Sequence, residues 1–284
     1  YKIVLERKYP NHVTNYAVIP HSYADVIARD FPEVEQTVKM GGPFNNVVVN
    51  YTNEKQEVKQ FEENFIMAAD SNFFDVFSIK LLQGDPKNAL MKPTDMVLTE
   101  ETAKRYFGES QAHGKTLRLF NQDFVITGIS ENVPDNSHFK FDFLGKWTDE
   151  IFAGGLRTNF ITFSAHVYVV LKPGADPKAL EAKFPAMVDN YAASQIEQDL
   201  GKSWEDYKKE GNGYRYSLQP LTSIHLDPSN IEAKMRAGGN RNYVYFLICI
   251  AILILVIACI NFMNLATARS AERAREVGVR KTMG

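Results

Sequence analysis

Alternating apolar and polar runs, interleaved irregularly with helix-capping signals, predict an α+β fold, a mixed extracytoplasmic domain of short strands and helices followed by one transmembrane α-helix. Three observations carry this. Strand-like runs such as Val34–Met40 and Phe124–Ile129 share the chain with helical patterns, without a regular βαβ rhythm. Val244–Ile260 (VYFLICIAILILVIACI) is apolar without interruption. Arg269, Arg273, Arg275, Arg280 and Lys281 then follow within the last sixteen residues.

Taken in order, Tyr1–Arg7 and Tyr16–Ile19 read as short strands. Ser22 is placed to cap a helix running to Phe31, with Val26, Ile27 and Phe31 at helical spacing and Pro32 ending it. Val34–Met40 and Val47–Tyr51 alternate as half-buried strands, with Gly41-Gly42-Pro43 as the turn between them. Val58–Ala68 reads as one strand. Ser71 is expected to cap a short helix, and Gly84-Asp85-Pro86 marks a loop. Met96–Leu98 is a strand, Thr99 a cap, and Glu100–Phe107 a helix closed by Gly108. A hairpin follows, Thr116–Phe120 and Phe124–Ile129 around Asn121-Gln122. His166–Leu171 is a strand entering Pro173-Gly174. Asp176 caps a helix from Pro177 to about Ala193, with Pro185 expected to kink it. The polar stretch Ala193–Gly213 reads as a mobile loop, and Tyr214–Leu218 as the last strand.

The apolar run sets the topology. Extended through half-polar Asn261–Thr267, it can cross a hydrocarbon core of roughly 30 Å at about 1.5 Å per residue. A core helix of a soluble protein seldom runs so far without a polar position, because one of its faces meets water. Asn261 and Asn264 share a face near its end, placed for neighbouring helices or the headgroup zone. Positive charge follows the run, so that end belongs in the cytoplasm. The expected organisation is therefore residues 1–240 outside, in the periplasm or extracellular and possibly as two subdomains. A transmembrane helix over 243–267 and a basic cytoplasmic helix over 268–284 complete it, in a bacterial inner membrane. The chain opens at Tyr1 with neither Met nor a signal pattern, and closes inside the basic segment. It reads as part of a longer protein whose outer domain is delivered by a signal or membrane helix upstream.

Formal charge is −2 overall, but +3 over the last sixteen residues and −5 over the rest. With no basic patch outside that end, nucleic acid is not an expected partner. Cys249 and Cys259, the only cysteines, both lie in the apolar run, so the outer part has no disulfide framework or CxxC metal site. The six histidines (His12, His21, His113, His138, His166, His225) show no HExxH pattern and no zinc-ligand spacing. Asp135, Ser137 and His138 are triad residue types crowded into one turn, where local backbone bonding is the expected role. Glu62-Glu63 and Glu100-Glu101 are neighbours that point apart and are expected to be solvated. Gly108–Thr116 (GESQAHGKT) resembles a phosphate-binding loop, yet five residues separate its glycines where four are needed. It also leads from a helix into a strand, so its N–H groups do not gather at a helix N-terminus. No catalytic residue, cofactor or metal site is expected.

Three parts of the chain, the first of them made of three runs, are together similar to a known family. Asp70–Asp85 (DSNFFDVFSIKLLQGD), Val97–Phe107 (VLTEETAKRYF) and Gly114–Pro134 (GKTLRLFNQDFVITGISENVP) look like the periplasmic core domain of MacB-type and FtsX-like ABC transporter permeases. Gln219–Leu226 (QPLTSIHL) resembles the segment that precedes the next membrane helix in such proteins. Arg273–Gly284 (RAREVGVRKTMG) resembles the basic motif that follows it. The resemblance implies membrane helices on both sides of the outer domain, a separate or fused cytoplasmic ABC ATPase, and a homodimer or pseudo-dimer of permease units. It implies movement passed from the ATPase to the outer domain, for export, lipoprotein release or activation of a periplasmic partner protein. Ala193–Gly213 and Asp135–Trp147 are the segments expected to carry partner specificity, because loops most often do.

On this resemblance Arg273, Glu276, Val277 and Arg280 are the candidate ATPase-coupling residues. Arg269, Arg273, Arg275 and Lys281 set topology through their charge among membrane lipids. The alternative is a membrane-anchored extracytoplasmic sensor or scaffold, whose helix relays or merely tethers. Cysteines at Ser203 and Thr282, in a Cys249→Ala/Cys259→Ala background, separate inside from outside. Ser203→Cys should react with an impermeant maleimide in intact cells, and Thr282→Cys only after lysis. Labelling of both from outside would refute the topology.

Overall fold

The computed structural model describes residues 1–53, 55–108, 111–149, 158–227 and 229–284. It divides into two compact units: residues 1–225 with 229–238, and residues 226–228 with 239–284.

The first unit is built on one sheet. Its strands are β1 (Lys2–Lys8), β2 (Val13–Tyr16), β3 (Val34–Phe44), β4 (Val47–Thr52), β5 (Val58–Glu63), β6 (Ile66–Ala69) and β7 (Leu81–Gln83). These continue as β8 (Asp95–Thr99), β9 (Thr116–Leu119), β10 (Gln122–Ser130), β11 (Phe143–Lys146), β12 (His166–Leu171), β13 (Gly213–Gln219) and β14 (Ile231–Glu232). The helices are α1 (Ser22–Asp30), α2 (Phe73–Val76), α3 (Glu100–Phe107), α4 (Pro177–Glu181), α5 (Phe184–Leu200), α6 (Trp204–Lys209) and α7 (Leu221–Ile224). Strand order is β14-β2-β1-β12-β3-β6-β11-β8-β10-β9-β4-β5, with β13 beside β1 and β7 beside β10. Most neighbours are antiparallel, but β11 runs parallel to β6, β10 parallel to β8 and β14 parallel to β2. This is the mixed α+β class.

Both faces of the sheet are covered, and side-chain alternation sorts the core. On one face, Ile3, Leu5, Val167 and Val169 pack under Tyr23, Ile27, Phe184 and Val188 of α1 and α5. The same face carries a second cluster, in which Leu98, Leu117 and Ile126 meet Tyr106 and Phe107 of α3. The alternate residues Met40, Met67, Val97, Leu144 and Tyr168 point to the other face, against Phe73, Phe77, Phe139 and Phe141. Two-sided burial explains why every residue of β6 and β8 is buried.

Several elements lie where the sequence reading puts them. Thr99 caps α3 by accepting from Thr102 N–H at 3.4 Å, and Gly108, at φ 59°, closes it. Asp176 caps α4 through Lys178 N–H at 2.9 Å. The β9–β10 hairpin is present, but its turn is Phe120-Asn121, one residue earlier than the Asn121-Gln122 expected, because Gln122 already pairs with Leu119 and both turn residues take positive φ (52° and 59°), the geometry of a two-residue hairpin.

Others differ, each for a stated reason. The first helix has His21 at its cap position; Ser22 lies inside it and its hydroxyl accepts from Asn159 N–H at 2.8 Å. The second strand is Val13–Tyr16, and Ile19 makes only an isolated bridge to Ala165. Gly41-Gly42-Pro43 is not a turn: β3 runs through it to Phe44. Val58–Ala68 is two strands, broken where Phe65 takes φ 58°; β5 pairs with β4, and β6 with β3 and β11. Asn72, not Ser71, stands at the start of α2, and its amide donates to Gln36 and Thr37 instead of capping. The helix after Asp176 breaks at Ala182-Lys183, which leaves Pro185 in the tolerated first turn of α5. Ala193–Gly213 is mostly helical, since α5 continues to Leu200 and α6 follows. Trp204 ties that segment down, donating to Asp189 at 2.6 Å and stacking on Tyr207. In sequence alone, a polar surface on two packed helices looks like a loop.

The second unit contains one helix, α8 (Arg241–Met283), of 43 residues. Asn240 caps it by accepting from Asn242 N–H at 2.8 Å.

Phe73 is fully buried and lies within 6 Å of the rings of Phe74, Phe77, Phe139 and Phe141. Phe73→Ala should therefore cost roughly 3–5 kcal/mol in urea unfolding. Met91→Ala, at an exposed position, should stay within about 0.5 kcal/mol.

Candidate functional site

The residues singled out for topology and coupling all lie on α8. Its first part is the apolar run, with no buried residue and with mean hydropathy 3.1 over its best eighteen-residue window. In lipid each backbone group must be satisfied internally, which an unbroken helix achieves. The hydroxyls beyond the run follow the same rule. Thr267 donates to Met263 C=O at 2.8 Å and Ser270 to Ala266 C=O at 2.9 Å. These bonds spend the side-chain donors on the helix itself.

Past Thr267, Arg269, Arg273, Glu276 and Arg280 recur every three or four residues and form one stripe, with Val277 beside it. Val277 is 64% exposed and Val279 52%. Arg275 projects from the opposite side. Among the described residues no ion pair joins these charges to one another. The stripe thus offers three guanidinium groups, one carboxylate and an apolar anchor to another surface.

The near-motifs of the outer unit resolve into structural roles. Gly108–Thr116 leads from α3 towards β9, with Glu109 and Ser110 outside the described residues. Gly114 N–H donates to Ile126 C=O at 2.7 Å and Lys115 N–H to Ala112 C=O at 3.1 Å, so these amides already serve the fold. Asp135, Ser137 and His138 diverge. Asp135 accepts from Arg236, Ser137 from Phe139 N–H, and His138 Nε2 lies 2.9 Å from the Tyr168 hydroxyl. Burial, and then the charge of Lys2, hold His138 down at about 4. Glu63 is not solvated as expected. It is 3% exposed and accepts from Arg105 at 2.7 Å and Tyr106 at 2.8 Å, while Glu62 stays exposed. Glu100 pairs with Lys104 at 2.7 Å on the surface of α3. Among the described residues no group of three or more His, Cys, Asp or Glu is placed to hold a metal.

Of the two segments expected to carry partner specificity, Ala193–Gly213 is mostly helical, and Asp135–Trp147 buries Phe139, Phe141, Phe143, Leu144 and Trp147. The sequence reading missed Lys2 and Arg7, cations buried on β1 at 3% and 5% exposure. Arg7 shares the face of Ile3 and Leu5, which alternation alone would have placed inside; nothing local marks Lys2.

A mixed α+β domain ahead of a membrane-length helix defines an extracytoplasmic domain of a membrane protein. Residues 5–187 match the model of the MacB-like periplasmic core domain, and the chain belongs to that family. It is a permease core domain of the MacB/FtsX type, not a catalytic domain, periplasmic and tethered to the inner membrane by the following helix. A crystallised domain of a Porphyromonas gingivalis protein thought to be a permease is similar in fold, with TM-score 0.62 and 22% identity over 77% of this chain and 88% of that one. The periplasmic region of MacB from Actinobacillus actinomycetemcomitans aligns with TM-score 0.47 and 13% identity over 78% and 90% of the two chains. The extracellular domain of the noncanonic ABC-type transporter YknZ from Gram-positive bacteria aligns with TM-score 0.40 and 13% identity over 76% and 100%. No curated protein matches the sequence.

Leu253 lies in the middle of the apolar run and is 61% exposed. Leu253→Arg should cost roughly 3 kcal/mol of insertion free energy. Alkaline extraction of membranes should then release a larger share of this variant than of the parent.

Proposed function

We propose that this chain couples ATP hydrolysis on a cytoplasmic ABC ATPase to movement of its periplasmic domain. In this reading residues 1–240 are outside, 243–267 span the bilayer, and 268–284 project into the cytoplasm. The output is export, lipoprotein release or activation of a periplasmic partner, delivered by two permease units acting together.

The continuity of α8 carries the reading. A single helix holds both the apolar run and the charged stripe, without proline. At about 1.5 Å per residue, the part beyond Thr267 extends on the order of 25 Å past the span. A rigid rod of that length turns a push at its basic end into displacement of the span, where a flexible tail would absorb it. Family membership supports an ATPase as the partner that pushes.

The stripe is the docking surface, with Arg273 and Arg280 reaching carboxylates, Glu276 reaching a cation and Val277 anchoring the contact. Glu276→Lys and Val277→Asp should both insert normally, because the remaining arginines still set topology. Transport or partner activation in cells should fall at least tenfold, with the ATPase lost from the membrane or hydrolysing without effect. Variants at Glu276, Val277 and Arg280 that insert, retain the ATPase and work normally would reduce the segment to a topology signal.

A further inference from the structure

Lys2 opens β1 with 3% of its surface exposed. Among the described residues no carboxylate pairs with it; its Nζ stands 5.7 Å from the centroid of the Tyr168 ring. Isolated ammonium groups are costly to bury, and proteins ordinarily pair them with an anion. The neighbours here have the wrong sign. Lys234 acts on Lys2 as a like charge, and Lys2 acts in the same way on His138 and His166.

These groups surround a small cavity. Lys2, His138, Gln219, His225, Lys234 and Arg236 line it, and the rest of its wall is apolar or glycine. Its volume is about 20 Å³. Seating one water takes roughly 10–15 Å³, so the space suits one atom-sized occupant and excludes phosphate, nucleotide or an organic acid. Among the described residues no carboxylate lines the wall. The acid that touches it from outside, Asp135, is 99% exposed and lies 3.4 Å from Arg236. Lys234 donates to Ser229 C=O at 3.1 Å, and among the described residues no carboxylate pairs with it.

We propose that this cavity binds one monatomic anion of the halide class, anchored by the Lys2 ammonium and favoured by the charges of Lys234 and Arg236. The anion would join the first residue of β1 to segment 234–238, whose chain continues into α8. Occupancy would therefore fasten together two stretches of the outer domain that are 232 positions or more apart in sequence.

The pH dependence follows from Lys2. Burial, then Lys234, lower its amine to about 7, while the unfolded chain keeps the ordinary value of 10.5. Without the anion, unfolding takes up a proton between those values, so stability rises with pH across that window and has lost this contribution below it. The anion binds the protonated form, so its affinity follows the protonated fraction and falls on the order of 100-fold from pH 6 to pH 9. His138, held at about 4, and His166, driven lower than its ordinary value by burial, stay neutral over that range.

The test uses the whole chain in detergent micelles, with bromide replacing gluconate at constant ionic strength. Bromide should raise Tm saturably at pH 6 and much less at pH 9. Lys2→Met, which keeps the aliphatic stem and removes the charge, should abolish the response. Crystals grown in bromide should show an anomalous peak inside the cavity. An equal bromide response in the parent and Lys2→Met overturns the proposal. If Lys2→Met does not fold, the parent decides: a response independent of pH, or bromide peaks only outside the cavity, overturns the site equally.

Discussion

Strand β3 changes partners at Met40, and the sheet of the outer unit is continuous because it does. From Val34 to Met40 its backbone bonds to β12, and from Met40 to Phe44 to β6. Buried N–H and C=O groups must find partners, so a strand that ended at Met40 would leave most of the β6 edge that faces it open inside the domain. The glycines after Met40 serve close approach. A Cβ on Gly41 would stand 2.6 Å from the Trp147 ring, and one on Gly42 would meet the Ile66 carbonyl at 2.8 Å. At both positions a neighbour crowds the backbone, and only glycine lets β3 pass.

With the sheet continuous, cations carried by β1 enter the interior, and the two differ in how they are compensated. Arg7 has a planar fork of donors that neutral acceptors can satisfy. It donates to Gly213 C=O at 3.1 Å, to Asn212 Oδ1 at 3.4 Å and to the Tyr207 hydroxyl, with Tyr9 and Tyr214 each 4.3 Å from its guanidinium carbon. Its charge is spread over a delocalised group and faced by π-systems. Lys2 carries a compact charge beside one aromatic ring and a second lysine. Equal burial of the two therefore does not mean equal compensation, and the difference isolates Lys2 as the group that calls for something further.

What the sequence disclosed follows the range of the interactions involved. Caps and turns are local, so Thr99, Asp176 and Gly108 could be read from a few residues. The apolar run and the arginines beyond it are legible because the bilayer acts on composition. Partner exchange along β3 is not local, and the glycines that permit it look the same in sequence as glycines that turn. Ala193–Gly213 misled for a related reason: its buried residues, Ile196 and Tyr207, are too sparse to show a helical stripe, and Trp204 contributes by reaching back to Asp189. Of the candidate site, the identities on α8 were legible, along with their spacing. Lys2 was not, because its surroundings come from five other parts of the chain, at Ala17, His138, Tyr168, residues 219–225 and residues 231–238.

The demand for backbone satisfaction that runs β3 past Met40 also shapes α8, with the opposite solution. In the sheet each strand depends on a neighbour, so a change at one edge is felt by the next strand. In α8 every interior N–H is satisfied four residues back, and even Thr267 and Ser270 turn their hydroxyls onto the same helix. Such an element needs no lateral partner to satisfy its backbone, in lipid or in water. Its side chains are then free to be chosen for what surrounds them, apolar over the span and charged beyond it. That independence lets one helix serve two environments, and makes the charged stripe a property of the helix face that a partner can read without the helix refolding.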